Sequence, residues 1–156
     1  MYNLITHWNE TAHKVAWMPL DFNEERERAM FEEEYQEFLS ATTPAEKLDA
    51  LADMMFLYYG IIYKWGSMGT YTLSRYEECL KTMKFKDEFK YNVLPENTQA
   101  IRTDIVNIAL AEVIKANYTR FWEWCYIRED GKFIKSPNYQ QPDLQWIVDT
   151  YWITFS

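Results

Sequence analysis

The chain has 156 residues, 48% of them hydrophobic, which suits one domain with a sizeable core and excludes a disordered chain. Only four glycines and five prolines are present, too few for a turn-rich β architecture. The formal net charge of −8 repels phosphate backbones and so disfavours nucleic acid as a partner; a small anionic nucleotide needs a cation or local Lys/Arg to mediate.

The two cysteines, Cys79 and Cys125, lack a paired metal spacing and read as free thiols of a reducing compartment. Met1 to Trp17 contains no signal-peptide apolar block. The longest apolar run, Leu51 to Trp65, is short for a membrane span and contains Asp53 and Lys64. A cytoplasmic protein without a membrane partner is expected.

The first helix is expected over Tyr2 to Trp17, broken by Met18-Pro19-Leu20. Asp21 or Asn23 can cap a second helix that runs to about Ser40. Thr42-Thr43-Pro44 connects it to a third, with Thr43 as cap, Pro44 in the first turn and an end near Lys64. Gly66 to Gly69 is a break. A fourth helix follows from Tyr71 to about Lys84, with Thr70 or Thr72 as cap. Lys86 to Leu94 gives no clear pattern. Ile101, Ile105, Ile108, Ala109, Ala111 and Val113 mark a long helix from about Thr98 to Trp124. Tyr126-Ile127 and Phe133-Ile134 flank Asp130-Gly131 as a short hairpin, because glycine accepts the positive φ of a tight turn. Ser136 to Gln141 reads as a polar loop, and Asp143 as the cap of a last short helix. The expected fold class is all-α: a bundle of four to five main helices with a short C-terminal hairpin and tail.

The acids on the second and third helices point to chemistry. On the second helix, Glu34 falls within the apolar stripe of Met30, Phe31, Phe38 and Ala41, and Glu37 lies at its border. The third helix is apolar in almost every direction, yet Asp49 and Asp53 lie one turn apart on one face, with Glu46 near the start. A carboxylate in a buried helix is costly unless it is paired or binds a cation. No Lys or Arg lies between Leu48 and Tyr63. Consecutive helices with a short connection pack antiparallel, so Glu34, Glu37, Asp49 and Asp53 can meet across one seam. Oxygen donors alone suit Mg²⁺ or Mn²⁺ rather than Zn²⁺. The competing reading is an acidic pair neutralised by Lys or Arg from elsewhere in the fold.

Several rival classes lack their residues. Glu10 to His13 supplies one Glu-x-x-His where a di-iron bundle usually needs two, and no glycine-rich GK[ST] phosphate loop exists.

Glu33-Glu34-Tyr35-Gln36-Glu37 followed by Asp49-Ala50-Leu51-Ala52-Asp53 resembles the EExxE…ExxD signature of MazG-like all-α nucleoside triphosphate pyrophosphatases, closest to the phosphoribosyl-ATP pyrophosphohydrolase-like branch. Tyr59-Gly60 is similar to the pair that ends the branch's DALAD helix. Glu112 to Arg120 resembles its EVHRSNMSK stretch, and Asp130 to Tyr139 with Pro142-Asp143-Leu144 resembles its DGKVLKSPNY…PDL tail. The resemblance implies one domain over residues 1–156, assembling as a homodimer or homotetramer, with a family-atypical insertion at about 67–107. It implies Mg²⁺-dependent attack of water on the α-phosphate of a nucleoside triphosphate, releasing pyrophosphate.

By matched position, Glu34, Glu37 and Asp53 are metal ligands, Asp49 stands in for the superfamily's Glu, and Glu33 orients or activates the water together with Glu34. Lys115, Asn117, Arg120, Lys135, Asn138 and Tyr139 match positions with a substrate or interface role. The insertion carries the basic residues Lys81, Lys84, Lys86 and Lys90, most simply a solvated positive patch. The alternative to an enzyme is a helical interaction module that kept the fold and lost turnover.

Overall fold

Helix α3, Pro44–Tyr63, is the axis about which the chain folds. Its start is written locally. Thr43 accepts from the Glu46 N–H at 3.2 Å, and the Glu46 carboxylate accepts from the N–H groups of Thr43 and Thr42 at 2.9 and 3.0 Å. This reciprocal capping box, with Pro44 in the first turn, satisfies donors that a helix start leaves open. Those backbone hydrogen bonds hold the Glu46 carboxyl below its ordinary range. Glu46 is therefore committed to the cap, although it still lines a shallow cleft with Glu37 and Asp49. Thr43→Ala is expected to cost about 1 kcal/mol and lower the melting temperature by about 2–4 °C in a thermal melt.

The computed structural model describes residues 1–86, 98–121 and 125–156. Helices α1, Tyr2–Ala16, α2, Glu24–Ser40, α4, Gly69–Leu80, and α5, Thr98–Tyr118, all pack on α3. A short α6, Gln145–Tyr151, closes the core. Among the described residues only two-residue strands accompany the helices: β1, Met83–Lys84, pairs antiparallel with β4, Thr154–Phe155, and β2, Tyr126–Ile127, pairs with β3, Phe133–Ile134. The all-α class and the hairpin are thus present. Leu48, Leu51 and Met54 of α3 are fully buried with Ile5, Phe31, Ile105, Leu110 and Ile147 from the surrounding helices. Among the described residues no helix is long and apolar enough to cross a membrane.

Several boundaries differ from the sequence reading. Helix α1 stops at Ala16, because Trp17 adopts the left-handed conformation at φ 59° and its N–H bonds back to His13. Asn23, rather than Asp21, caps α2 by accepting from the Arg26 N–H at 3.0 Å. Neither Thr70 nor Thr72 caps α4; that helix begins after Met68, and the Thr72 hydroxyl donates to the Met68 carbonyl. Helix α4 ends at Leu80 rather than Lys84, since Met83 and Lys84 are drawn into the ladder with Phe155 and Thr154. Helix α5 ends at Tyr118, and residues 122–124 of the expected helix lie outside the described ones. Leu144, rather than Asp143, precedes α6, although Asp143 accepts from the Gln145 N–H at 3.3 Å. Of the basic residues in the insertion, Lys86 sits over the Trp152 ring at 5.0 Å, and Lys90 lies outside the described residues.

The hairpin is fixed against the start of α2. Gly131 has φ +86°, and a Cβ there would meet Arg26 Cδ at 2.2 Å. Only glycine meets both demands. An aromatic cluster anchors the same hairpin from beneath. Trp8 of α1 packs edge-on against Phe56 of α3 at 4.9 Å and lies 5.7 Å from Phe133 of β3. The Trp8 indole N–H also donates to the Asn117 carbonyl at 3.0 Å, tying α1 to the end of α5.

Candidate active site

The antiparallel pair α2–α3 brings its acids to one seam. Glu34 and Glu37, one turn apart on α2, face Asp49 and Asp53, one turn apart on α3, and all four line one cleft. Burial comes first in pushing the Glu34 carboxyl up, to about 9, with the neighbouring charges of Asp53, Glu37 and Glu33 adding to it. Asp53 is pushed up to about 7 by burial and then by Asp49, and Asp49 to about 6 by burial and then by Glu37. Glu34, Asp49 and Asp53 therefore each feel an acid across the seam, and repulsion is built into the site.

The far wall of the cleft is cationic. Arg120, just past α5, and Lys135, just past β3, pull against the rise at both Asp49 and Asp53, while Lys132 does so at Glu34. Tyr139 organises two of these cations, with the Lys135 ammonium 4.3 Å and the Arg120 guanidinium 5.1 Å from its ring centre. Lys132 forms an ion pair with Glu33. The expectation that cations from elsewhere could serve the acids is thus met in part, yet they leave the acids under-compensated. Glu34 Oε2, Asp49 Oδ1 and Arg120 Nε are all buried without a hydrogen-bond partner. Unpaired buried oxygens among crowded carboxylates suit a hard divalent cation that draws the acids together. No group of three or more His, Cys, Asp or Glu side chains among the described residues is already disposed as a metal cage, so the donor set fits while the coordination shell is not preassembled.

A second cavity adjoins the first and shares Glu34, Asp53, Arg120, Lys132 and Phe133 with it. Its walls are mostly apolar, with Trp8, Met18, Met30, Phe56 and Leu57 among them, and the polar side chains of Asn9, Glu27 and Asn117 also face it. Asn9, Glu27 and Asn117 are 3%, 2% and 2% exposed, so these polar side chains are as buried as the core.

The sequence-derived residues divide accordingly. Glu34, Glu37, Asp49, Asp53, Arg120, Lys135 and Tyr139 meet at the acid cleft, and Asn117 and Glu33 line the apolar cavity. Lys115 is exposed on the outer side of α5 and lines neither cavity. Asn138 is also exposed and lines neither; its N–H donates to Ser136 Oγ at 3.1 Å, a turn contact. The His13 ring of the Glu10-x-x-His13 pattern lies with Nδ1 2.8 Å from the Met18 carbonyl oxygen. Sequence reasoning missed Glu27, Asn9 and Lys132. Glu27 was hidden in the strongly acidic first half of α2, although its place four residues before Phe31 put it on the buried face.

The bundle thus sets acids on two adjacent helices against cations from its C-terminal segments. The family model of phosphoribosyl-ATP pyrophosphohydrolase matches residues 1–66, the stretch that holds α1 to α3 and every acid of the cleft. That match bears out the resemblance at Glu33 to Glu37 and Asp49 to Asp53 and supports a hydrolase of phosphoric anhydrides. Searches of curated proteins and of solved structures found no match.

Proposed function

We propose that the protein hydrolyses a nucleoside triphosphate, ribo or deoxy, to the monophosphate and pyrophosphate with Mg²⁺, for which Mn²⁺ can substitute. The observation that carries this reading is the pair of adjoining cavities. One has mostly apolar walls and the other is acid-lined and cation-flanked, and they share Glu34, Asp53, Arg120 and Lys132.

In this reading the base and sugar occupy the apolar cavity and the phosphates cross the shared wall into the cleft. Glu34, Glu37, Asp49 and Asp53 hold the metal. Bound magnesium supplies neutralisation of phosphoryl charge and acidifies the attacking water. Glu33, tied to Lys132 in the ligand-free protein, takes the proton once the phosphates draw Lys132 away. Arg120 and Lys135, held over Tyr139, receive the charge that develops on departing pyrophosphate. Packing of the matched family type into a homodimer or homotetramer is part of the proposal.

The test is direct measurement of pyrophosphate release from a panel of nucleoside triphosphates and their deoxy forms, with and without Mg²⁺. Turnover that requires the metal and yields pyrophosphate with a monophosphate is expected. Folded protein that turns over no nucleotide would favour a binding module.

A further inference from the structure

The apolar cavity contains a buried ion pair for which the hydrolytic reaction has no use. Glu27, in the first turns of α2, accepts from Lys64 Nζ at 2.8 Å, and the two side chains are 2% and 6% exposed. Arg26 approaches the same carboxylate oxygen, Oε1, at 3.4 Å. Both contacts fall on Oε1, which leaves Oε2 to meet a ligand in the cavity that Glu27 lines. The pair is costly to bury, and two apolar side chains would hold the helices together at least as well. Asn117 lines the same cavity; it is 2% exposed and its Oδ1 is buried without a partner. Asn9, also on this wall, has already committed its Nδ2 to the Ile5 carbonyl at 2.8 Å. The cavity therefore offers oxygen acceptors between aromatic and aliphatic walls, and it calls for a flat ring that brings N–H donors.

We infer that Glu27 and Asn117 together read the exocyclic amino group of the nucleobase, so that the substrate class is a triphosphate of a 4-aminopyrimidine or a 6-aminopurine. This rests on the nucleotide reading above and goes on to the base. An amino group carries two hydrogens, one for each acceptor, and carboxylates are established partners of such groups. Replacing it by an oxo group sets a carbonyl oxygen against the two acceptor oxygens. The deaminated base is thus rejected by repulsion as well as by lost hydrogen bonds.

The experiment compares matched pairs in which the amino group gives way to oxo and the adjacent ring nitrogen gains a hydrogen: dCTP with dUTP, and dATP with dITP. The wild-type kcat/KM is expected to favour the amino member of at least one pair by about tenfold or more. Glu27→Gln keeps an oxygen for Lys64 and turns an amide N–H₂ toward the base, so the ratio is expected to fall about tenfold or to invert. The double variant Glu27→Leu/Lys64→Met removes both charges, leaves no unpaired ion if the single change proves unstable, and is expected to lose the discrimination. A wild-type ratio within about twofold in both pairs, or a ratio unchanged in folded variants, overturns the inference while leaving the hydrolase reading intact. Absence of turnover with any nucleotide overturns that reading and this one with it.

Discussion

Asp53→Asn is expected to lower magnesium-dependent pyrophosphate release by about three orders of magnitude, while raising the melting temperature of the metal-free protein. Asp53 stands where the two cavities join and is the acid that most affects Glu34 after burial itself. An amide keeps the shape but supplies no charge to a dication. In the metal-free protein the same change removes a repulsion, so stability and activity move in opposite directions. Loss of activity through misfolding would lower both. Steady-state kinetics at saturating metal, together with a melt in chelator, separates the cases. Lys115→Ala serves as the control: Lys115 is exposed and outside both cavities, so turnover within about twofold of wild type is expected. Wild-type turnover in Asp53→Asn would remove Asp53 from the metal site.

The second large effect is on stability against pH. Burial and crowding push Glu34 up to about 9, Asp53 to about 7 and Asp49 to about 6, all above the range of free carboxyls. Between about pH 4 and about pH 9 the folded state therefore holds protons that the unfolded chain has released. Stability rises with pH only where the unfolded state binds more protons, and here it binds fewer. The site's contribution is thus fully present below the unfolded carboxyl range and is lost as pH climbs toward the folded values. In chelator, the melting temperature is expected to fall by at least about 5 °C from about pH 5 to about pH 9. Asp130, Glu32 and Glu46 are shifted the other way and act on the acid side of this window. Metal takes the place of the protons, so the gain from Mg²⁺ grows as pH rises. A melting temperature that climbs steadily from about pH 5 to about pH 9 in chelator would contradict the crowding of these acids.

What the sequence made legible was whatever is encoded locally. Thr43, Pro44 and Glu46 lie within four residues and define the start of α3 by themselves. Asp49 and Asp53 stood out because they interrupt an apolar helix, and Glu34 because it interrupts an apolar stripe. Contacts between distant segments were not legible. Glu27 and Lys64 are 37 residues apart, and nothing local to either marks the other as its partner. The β1–β4 ladder joins a mid-chain segment to one far later in the sequence, which is why α4 seemed to run on through Lys84. Lys115 and Asn117 show the limit of motif transfer. They are two apart on one helix, so they point to different sides, and only Asn117 turns inward. Lys132 became visible as a site residue only once the hairpin was seen docked on α2 beside Glu33.

Calorimetric titration of Mg²⁺ or Mn²⁺ into the protein bearing a non-hydrolysable triphosphate analogue, in buffers of differing ionisation heat, reports metal affinity and proton count together. Saturable uptake that expels protons near neutral pH, diminished in Glu34→Gln and abolished in Asp53→Asn, is the predicted result. Uptake without proton release, or equal in wild type and both variants, would contradict a dication held between α2 and α3.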